Sequence, residues 1–91
     1  MEDLHYNITV KGRVQGVWFR KHTLDKALEL RLTGFVKNNL NGDVYVEAEG
    51  DIQKLKLLID WLYLGSPLSN VDEVTFETGI VQGFERFYIK R

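Results

Sequence analysis

The stretch HYNITVKGRVQGVWFR, residues 5–20, contains the change of hydrophobic pattern that decides the fold. Apolar and polar residues alternate over positions 5–11, and this period of two predicts a half-buried β-strand. Glycines at positions 12 and 16 then predict a turn. From Phe19 the apolar spacing becomes helical. The stretch therefore predicts a strand, a glycine turn and the start of a helix in direct succession.

The segment after this stretch has the apolar spacing of an amphipathic helix. Two adjacent helical rows are apolar or small, the first formed by Phe19, Thr23, Ala27 and Leu30 and the second by Leu24 and Leu28. We predict a helix that reaches about Leu32, because Gly34 lies where a helix stop or a strand start is expected.

A β-hairpin is predicted next. Residues 35–38 form a short β-prone segment, and the turn Asn39-Leu40-Asn41-Gly42 contains Asn-Gly, the strongest short hairpin signal. Residues 44–49 alternate between small apolar and polar side chains. This alternation predicts a strand with one face in solvent.

The remaining elements complete the topology. Asp51 is predicted to cap a second helix that ends near Gly65-Ser66-Pro67, since proline blocks its continuation. Residues 71–78 predict a fourth strand, and residues 84–89 a final short strand. The order β-α-β-β-α-β predicts an α+β fold, a ferredoxin-like α/β sandwich with an antiparallel sheet and two helices on one face. We expect one domain over residues 1–91.

Composition limits the function. The chain has 91 residues, no cysteine and a formal net charge of -1, which excludes a disulfide framework and disfavours a nucleic-acid partner. The N-terminal Met1-Glu2-Asp3 is acidic and no apolar run follows it, so neither a secretory signal nor a membrane span is expected. We predict a soluble, cytoplasmic protein.

Two segments have residues that suggest chemistry. The glycine turn that precedes Phe19 allows backbone N–H groups to converge at a helix N-terminus, a geometry that binds small anions. Arg20, in the first helical turn, can bind two phosphate oxygens with its guanidinium. A plain glycine turn with a solvent-facing arginine is an equal alternative at this point. Asn38 is unusual at the end of a strand, although it can simply begin the hairpin turn.

Together the two segments resemble the motifs of the acylphosphatase family. The first motif is GRVQGVWFR at residues 12–20, and the second is GFVKNNLNGDV at residues 34–44, with Gly50 beyond it. Similarity also continues through the tail, from Trp61-Leu62 to the closing residues 87–90. The resemblance covers nearly the whole chain.

This resemblance implies metal-independent hydrolysis of the carboxyl–phosphate bond of small acyl phosphates, giving a carboxylate and inorganic phosphate. It implies that Arg20 clamps the phosphate and that Asn38 holds the attacking water. The phosphate would be bound by the backbone N–H groups of Gln15, Gly16, Val17, Trp18, Phe19 and Arg20. No metal, no cofactor, no nucleic acid and no membrane would be involved, and we expect a monomer.

Two positions depart from the family pattern. Trp18 stands where glycine or another small residue is common, and we interpret it as packing against the helix. The alternative is a place at the pocket border, where it would favour aromatic or apolar acyl groups. Asn39 stands where threonine is common.

Other functions are considered beside the enzyme. The main alternative is a non-catalytic small-anion-binding or sensing module of the same fold. A carbamoyl-transfer module of hydrogenase-maturation proteins would normally be joined to further domains. We interpret His5 and His22 as surface residues, and the acids Glu47 and Glu49 as part of a solvated face that disfavours RNA.

Overall fold

Seven elements follow one another along residues 2–91, the part of the chain that the computed structural model describes. Met1, the first residue of the acidic N-terminus, lies outside it. The elements are β1 Leu4–Arg13, α1 Phe19–Glu29, β2 Thr33–Asn38, β3 Val44–Gly50, α2 Ile52–Leu64, β4 Asn70–Gly79 and β5 Phe87–Ile89.

The strands form one sheet in the order β4-β1-β3-β2-β5. β1 pairs antiparallel with both β3 and β4, and β2 pairs antiparallel with β3 through the predicted hairpin. Both helices pack on one face of this sheet and against each other. The ferredoxin-like fold is therefore confirmed. The sheet as a whole is mixed rather than purely antiparallel, because the short strand β5 runs parallel to β2.

The core lies between the sheet and the helices, as the sequence pattern predicts. Alternate residues of β1 (Tyr6, Ile8, Val10) share one buried cluster with the first row of α1 and with the apolar stripe of α2, which is formed by Leu55, Leu58, Ile59 and Leu62. α1 ends at Glu29, earlier than predicted, because Arg31 adopts a left-handed conformation with φ 58°. Leu28 is 54% exposed, so the prediction of a second apolar row is wrong at that position.

The outer face of the sheet, opposite the helices, is only partly solvated, and the interpretation of His5 and Glu49 as solvent-facing residues is wrong. His5 and Glu49 are each only 3% exposed. They lie beneath residues 80–84, which we call the strap. Glu49 accepts hydrogen bonds from the backbone N–H groups of Gln82, Gly83 (3.0 Å) and Phe84 (3.3 Å). Because the strap is held here, only residues 87–89 of the predicted last strand pair with β2.

Aromatic rings close the same region. The Phe84 ring stacks on the His5 ring at a centroid distance of 6.0 Å and meets Phe35 edge-on at 5.9 Å. Phe35 is therefore buried on this face. The strap thus leads the chain across the outer face and into β5.

The surroundings of His5 favour its protonated form. Its Nδ1 lies 2.6 Å from Glu49 Oε2, and its Nε2 lies 2.8 Å from Asn7 Oδ1 and 3.2 Å from Glu47 Oε1, so both ring nitrogens face hydrogen-bond acceptors. Burial would lower the pKa of His5, but these bonds and the charges of Glu47 and Glu49 raise it above its ordinary 6.5. Burial would raise the pKa of Glu49, but the strap N–H groups and His5 lower it below its ordinary 4.5.

These shifts give the pair a defined pH window. A raised histidine pKa stabilises the fold below about 6.5, and this contribution is lost as the pH rises through the folded pKa. A lowered glutamate pKa stabilises the fold above about 4.5, and this contribution is lost as the pH falls through the folded pKa. The pair is therefore most stabilising at mildly acidic pH.

Replacing Glu49 with glutamine should destabilise the protein most strongly in that window. We expect Glu49→Gln to lower the free energy of unfolding by about 2–4 kcal/mol near pH 5.5, because the buried imidazolium loses its counterion. The loss should shrink toward both lower and higher pH. Urea unfolding across the pH range measures this, with Glu77→Gln on the exposed part of β4 as the control. A pH-independent loss would contradict the charged pair.

Candidate active site

A cleft of about 470 Å³ opens between the loop after β1, the start of α1 and the end of β2. The loop, residues 14–18, is called the anion loop below. The residues that line the cleft are Val14, Gly16, Trp18, Phe19, Arg20, Lys21, Asn38, Ile89 and Arg91. The fold therefore brings Arg20 and Asn38 to one cavity, although they lie on different elements.

The backbone is unusual at three points, one near the end of β1 and two in the anion loop. The β1–β4 register shifts between Lys11 and Gly12, where a side chain would collide with the carbonyl of Asn70. Gly16 has φ 72° and Trp18 has φ 61°, both in the left-handed region. These conformations turn the chain from β1 directly into the N-terminus of α1.

This turn leaves backbone donors unpaired. His22 has the first paired N–H group of α1, which donates to the carbonyl of Trp18 at 3.0 Å. Trp18, the N-cap residue, offers no side-chain cap. Within residues 2–91, the N–H groups of residues 15–20 donate to no protein acceptor. Unpaired N–H groups at a helix N-terminus are a ready anion site.

Two side chains hold the loop in place. Ser66 is 3% exposed, and its hydroxyl donates to the carbonyl of Val17 at 2.9 Å. The Gln15 Nε2 group donates to the carbonyls of Asn39 (2.8 Å) and Asp43 (2.9 Å). Gln15 thus ties the anion loop to the hairpin turn that directly follows Asn38.

Asn38 has an unmet hydrogen-bonding need. It is the last residue of β2, and its backbone is in register with Val44. Its side-chain Oδ1 is buried and, in the described part of the chain, has no hydrogen-bond partner. A buried carbonyl oxygen without a donor is costly, and this residue lines the cleft. The atom is therefore placed to accept a hydrogen bond from a molecule in the cleft.

The cleft is positively charged. Arg20, Lys21 and Arg91 line it, and among the described residues no aspartate, glutamate or histidine side chain does. Lys21 also contacts the exposed Asp25 on α1 at 2.9 Å. Arg20 is half-buried in the first turn of α1, next to the unpaired N–H groups. The arrangement is suited to a small anion with negative charge at one end.

The predicted site residues fall into two groups. Gly16, Trp18, Phe19, Arg20 and Asn38 line the cleft, whereas the side chains of Gln15 and Val17 point away from it, into the hairpin turn and the core. The packing interpretation of Trp18 is wrong, because its side chain is 74% exposed.

Some residues that line or support the cleft are not among the site residues predicted from the sequence. They are Lys21, Ser66, Ile89 and Arg91. A serine between a helix-ending glycine and a proline gives no signal of a partner 49 positions away in the chain.

Gln15 offers a test of how the loop is positioned. We expect Gln15→Leu to lower the free energy of unfolding by about 1–2 kcal/mol, since two carbonyls lose their donor. A shift of the loop relative to Asn38 should lower kcat by about tenfold or more. Urea unfolding and steady-state kinetics measure the two effects, with Gln53→Leu on exposed α2 as the control. An unchanged kcat would contradict a positioning role.

Comparisons of sequence and of structure with known proteins point to the same family. The acylphosphatase family profile matches residues 6–89. An acylphosphatase from Coxiella burnetii is 40% identical over 84 residues, which cover 92% of this chain and 88% of the relative. The crystal structure of acylphosphatase from Bacillus subtilis superimposes with a TM-score of 0.95 at 37% identity, over 97% of this chain and 99% of that one.

A larger protein contains a similar unit. Full-length HypF, solved in a phosphate- and nucleotide-bound form, matches 99% of this chain with a TM-score of 0.93 and 28% identity. The match covers only 12% of the HypF chain.

The ferredoxin-like fold and the cationic cleft define a class of α+β domain in which a loop at a helix N-terminus is suited to binding a small anion. The extent of the sequence match narrows this class further. The chain belongs to the acylphosphatase family. It is an enzyme that hydrolyses acyl phosphates, and the non-catalytic alternative is not favoured.

Proposed function

We propose that this chain cleaves the carboxyl–phosphate bond of small acyl phosphates without a metal, with Arg20 and Asn38 as the acting side chains. The observation that supports this most strongly is their presence in one cleft, beside the unpaired N–H groups of residues 15–20. The cleft then has a phosphate site and a water site next to each other.

The phosphate is bound by the anion loop. Its oxygens accept from the backbone N–H groups of Gln15, Gly16, Val17, Trp18, Phe19 and Arg20, and the positive end of the α1 dipole favours their charge. The Arg20 guanidinium donates two parallel hydrogen bonds to the same phosphate. These donors are fixed before the substrate arrives, so they need little reorganisation as charge develops.

Asn38 positions the attacking water. Its otherwise unpaired Oδ1 accepts a hydrogen bond from the water, which turns a lone pair of the water oxygen toward phosphorus. The new P–O bond forms opposite the bridging oxygen, and the bond from phosphorus to that oxygen breaks. Correct orientation of the two reactants accounts for much of the rate.

The reaction needs no general acid. The leaving group is a carboxylate, whose conjugate acid has a pKa of about 4. It therefore departs with the bonding electron pair and needs no proton. One proton of the water passes to a phosphate oxygen of the substrate itself. The products are the carboxylate and inorganic phosphate. Among residues 2–91, no histidine, aspartate or glutamate side chain lines the cleft to act as a base.

Hydrolysis of acetyl phosphate in excess chelator tests the proposal. The purified protein should release phosphate at an undiminished rate, and in ¹⁸O-labelled water the label should appear in the phosphate. Label in the acetate would show attack at carbon and would contradict the role of Asn38. Loss of activity in chelator, restored by a divalent cation, would contradict a metal-free reaction.

We also propose that residues 1–91 act as one domain and as a cytoplasmic monomer without a nucleic-acid partner. The radius of gyration of the described residues is 11.8 Å, close to the roughly 12 Å expected for one domain of this length. The absence of cysteine supports a cytoplasmic location, and the net charge of -1 argues against a nucleic-acid partner. No helix within residues 2–91 is long and apolar enough to cross a membrane. Sedimentation analysis tests the monomer.

A further inference from the structure

Trp18 combines two unfavourable features at the cleft. Its side chain is 74% exposed, and its backbone is left-handed with φ 61° and ψ 20°. A bulky residue in this region is rare, because its side chain crowds the backbone. Glycine would meet the same turn without that crowding. Neither packing nor local conformation therefore explains a tryptophan at this position.

The position of the indole relative to the phosphate site suggests its use. Trp18 lies in the anion loop, between Gly16 and Arg20, and all three residues line the cleft. In an acyl phosphate only one oxygen separates phosphorus from the acyl carbon. A phosphate bound by the loop therefore places the acyl group beside the loop, within reach of the Trp18 ring.

The cleft offers little other accessible apolar surface. Val14 is 1% exposed and Phe19 is 2% exposed, so their side chains are already covered by the core. Ile89 is half-buried, at the end of β5. Arg20, Lys21 and Asn38 are polar and suit the phosphate and water. The Trp18 ring is thus the main flat apolar surface that a substrate can cover.

Other exposed apolar side chains do not share this placement. Leu40, Leu68 and Ile80 are 70% exposed or more, but none lines the cleft. Single exposed apolar residues are ordinary on protein surfaces. The distinguishing observation at Trp18 is the coincidence of exposure, left-handed backbone and cleft position.

We propose that Trp18 is a specificity-determining residue that stacks on the acyl group and selects aromatic acyl phosphates over small aliphatic ones. This inference rests on the proposed function, because it assigns the acyl side of the same site. Offset or edge-to-face contact between two aromatic rings adds to the affinity gained from burial alone. Benzoyl phosphate is the simplest substrate that presents such a ring, and acetyl phosphate is its small counterpart.

The test compares the ratio of kcat/KM for benzoyl phosphate to that for acetyl phosphate. We expect the wild type to prefer benzoyl phosphate, and Trp18→Gly to lower the ratio about fivefold. Trp18→Phe keeps a ring and should retain most of the ratio. Leu57→Gln, on the exposed side of α2, removes an apolar side chain outside the cleft and should change neither rate. Equal ratios in wild type and Trp18→Gly would overturn the proposal.

A binding measurement separates this inference from the proposed function. Benzylphosphonate and methylphosphonate are not hydrolysed, and calorimetry gives their affinities directly. Wild type should favour benzylphosphonate and Trp18→Gly should lose this preference, whether or not turnover is observed. Absence of hydrolysis with this preference intact would sink the proposed function and leave the role of Trp18 supported. Hydrolysis by a wild type that shows no preference for benzylphosphonate would support the proposed function and overturn the role of Trp18.

Discussion

Arg20→Ala is expected to lower kcat/KM for acetyl phosphate by about 10³-fold or more, the scale seen when an arginine that stabilises a transferring phosphoryl group is removed. Arg20 is half-buried in the first turn of α1 and lines the cleft beside the unpaired N–H groups. In the proposed mechanism its guanidinium donates charge-assisted, parallel bonds to phosphate oxygens, so alanine would remove both charge and orientation. Inhibition by inorganic phosphate should weaken as well, by about tenfold to a hundredfold.

Lys26→Ala is the matched control for this prediction. Lys26 lies on the same helix but outside the cleft, where it contacts Glu29 at 3.3 Å. The Lys26→Ala substitution removes one positive charge outside the cleft, and the kinetics of this variant should match those of the wild type. Arg20→Lys adds information, because lysine keeps the charge but cannot form the planar two-pronged contact. If Arg20→Ala retained wild-type turnover, the phosphate clamp would be wrong.

Asn38→Ala is expected to lower kcat by about 10²- to 10³-fold, comparable to the loss of one pre-organised hydrogen-bonding group in an active site. Inhibition by inorganic phosphate should change little, since we propose that the anion loop and Arg20 bind the phosphate. The two effects separate because the proposed role of Asn38 is to contact the water and not the phosphate. Steady-state kinetics with phosphate as a competitive inhibitor measure both quantities.

Asn70→Ala controls for the loss of an asparagine at a strand end. Asn70 begins β4, is exposed and does not line the cleft, so kcat should be unchanged. A thermal melt checks that Asn38→Ala remains folded. Equal losses of phosphate affinity and of kcat in Asn38→Ala would mean that Asn38 shapes the anion site rather than holding the water.

The fold could be predicted because local patterns and the global topology agree. The alternation over residues 5–11, the Asn-Gly turn at 41–42 and the helical stripe of α2 each match one element of the structure. The switch from period two to helical spacing around the anion loop positions the start of α1. Such agreement between levels is typical of natural sequences.

The buried pair on the outer face could not be predicted in the same way. A period of two shows which residues share a face, but it does not show what covers that face. Glu49 is buried because the strap, more than thirty positions along the chain, donates its N–H groups to the carboxylate. His5 becomes its counterion through the β1–β3 register, where the two residues are directly opposite.

The two motifs predict Arg20 and Asn38 as site residues, and the structure brings both to one cleft, but the motifs do not predict the side chains that support the cleft. Only the three-dimensional structure shows that Oδ1 of Asn38 has no hydrogen-bond partner among residues 2–91. Gln15 illustrates the limit, because its backbone belongs to the anion loop whereas its side chain holds the hairpin turn. Trp18 is interpreted from the sequence as packing against the helix, but the sequence does not show how the anion loop directs this side chain, which the structure leaves 74% exposed at the cleft.

The most direct measurement determines kcat for acetyl phosphate and the inhibition constant of inorganic phosphate together, in excess chelator, for wild type, Arg20→Ala and Asn38→Ala. We expect rapid turnover by wild type, loss of both turnover and phosphate affinity in Arg20→Ala, and loss of turnover alone in Asn38→Ala. Full turnover by either variant, or none by a wild type that still binds phosphate, would contradict catalysis by these two residues.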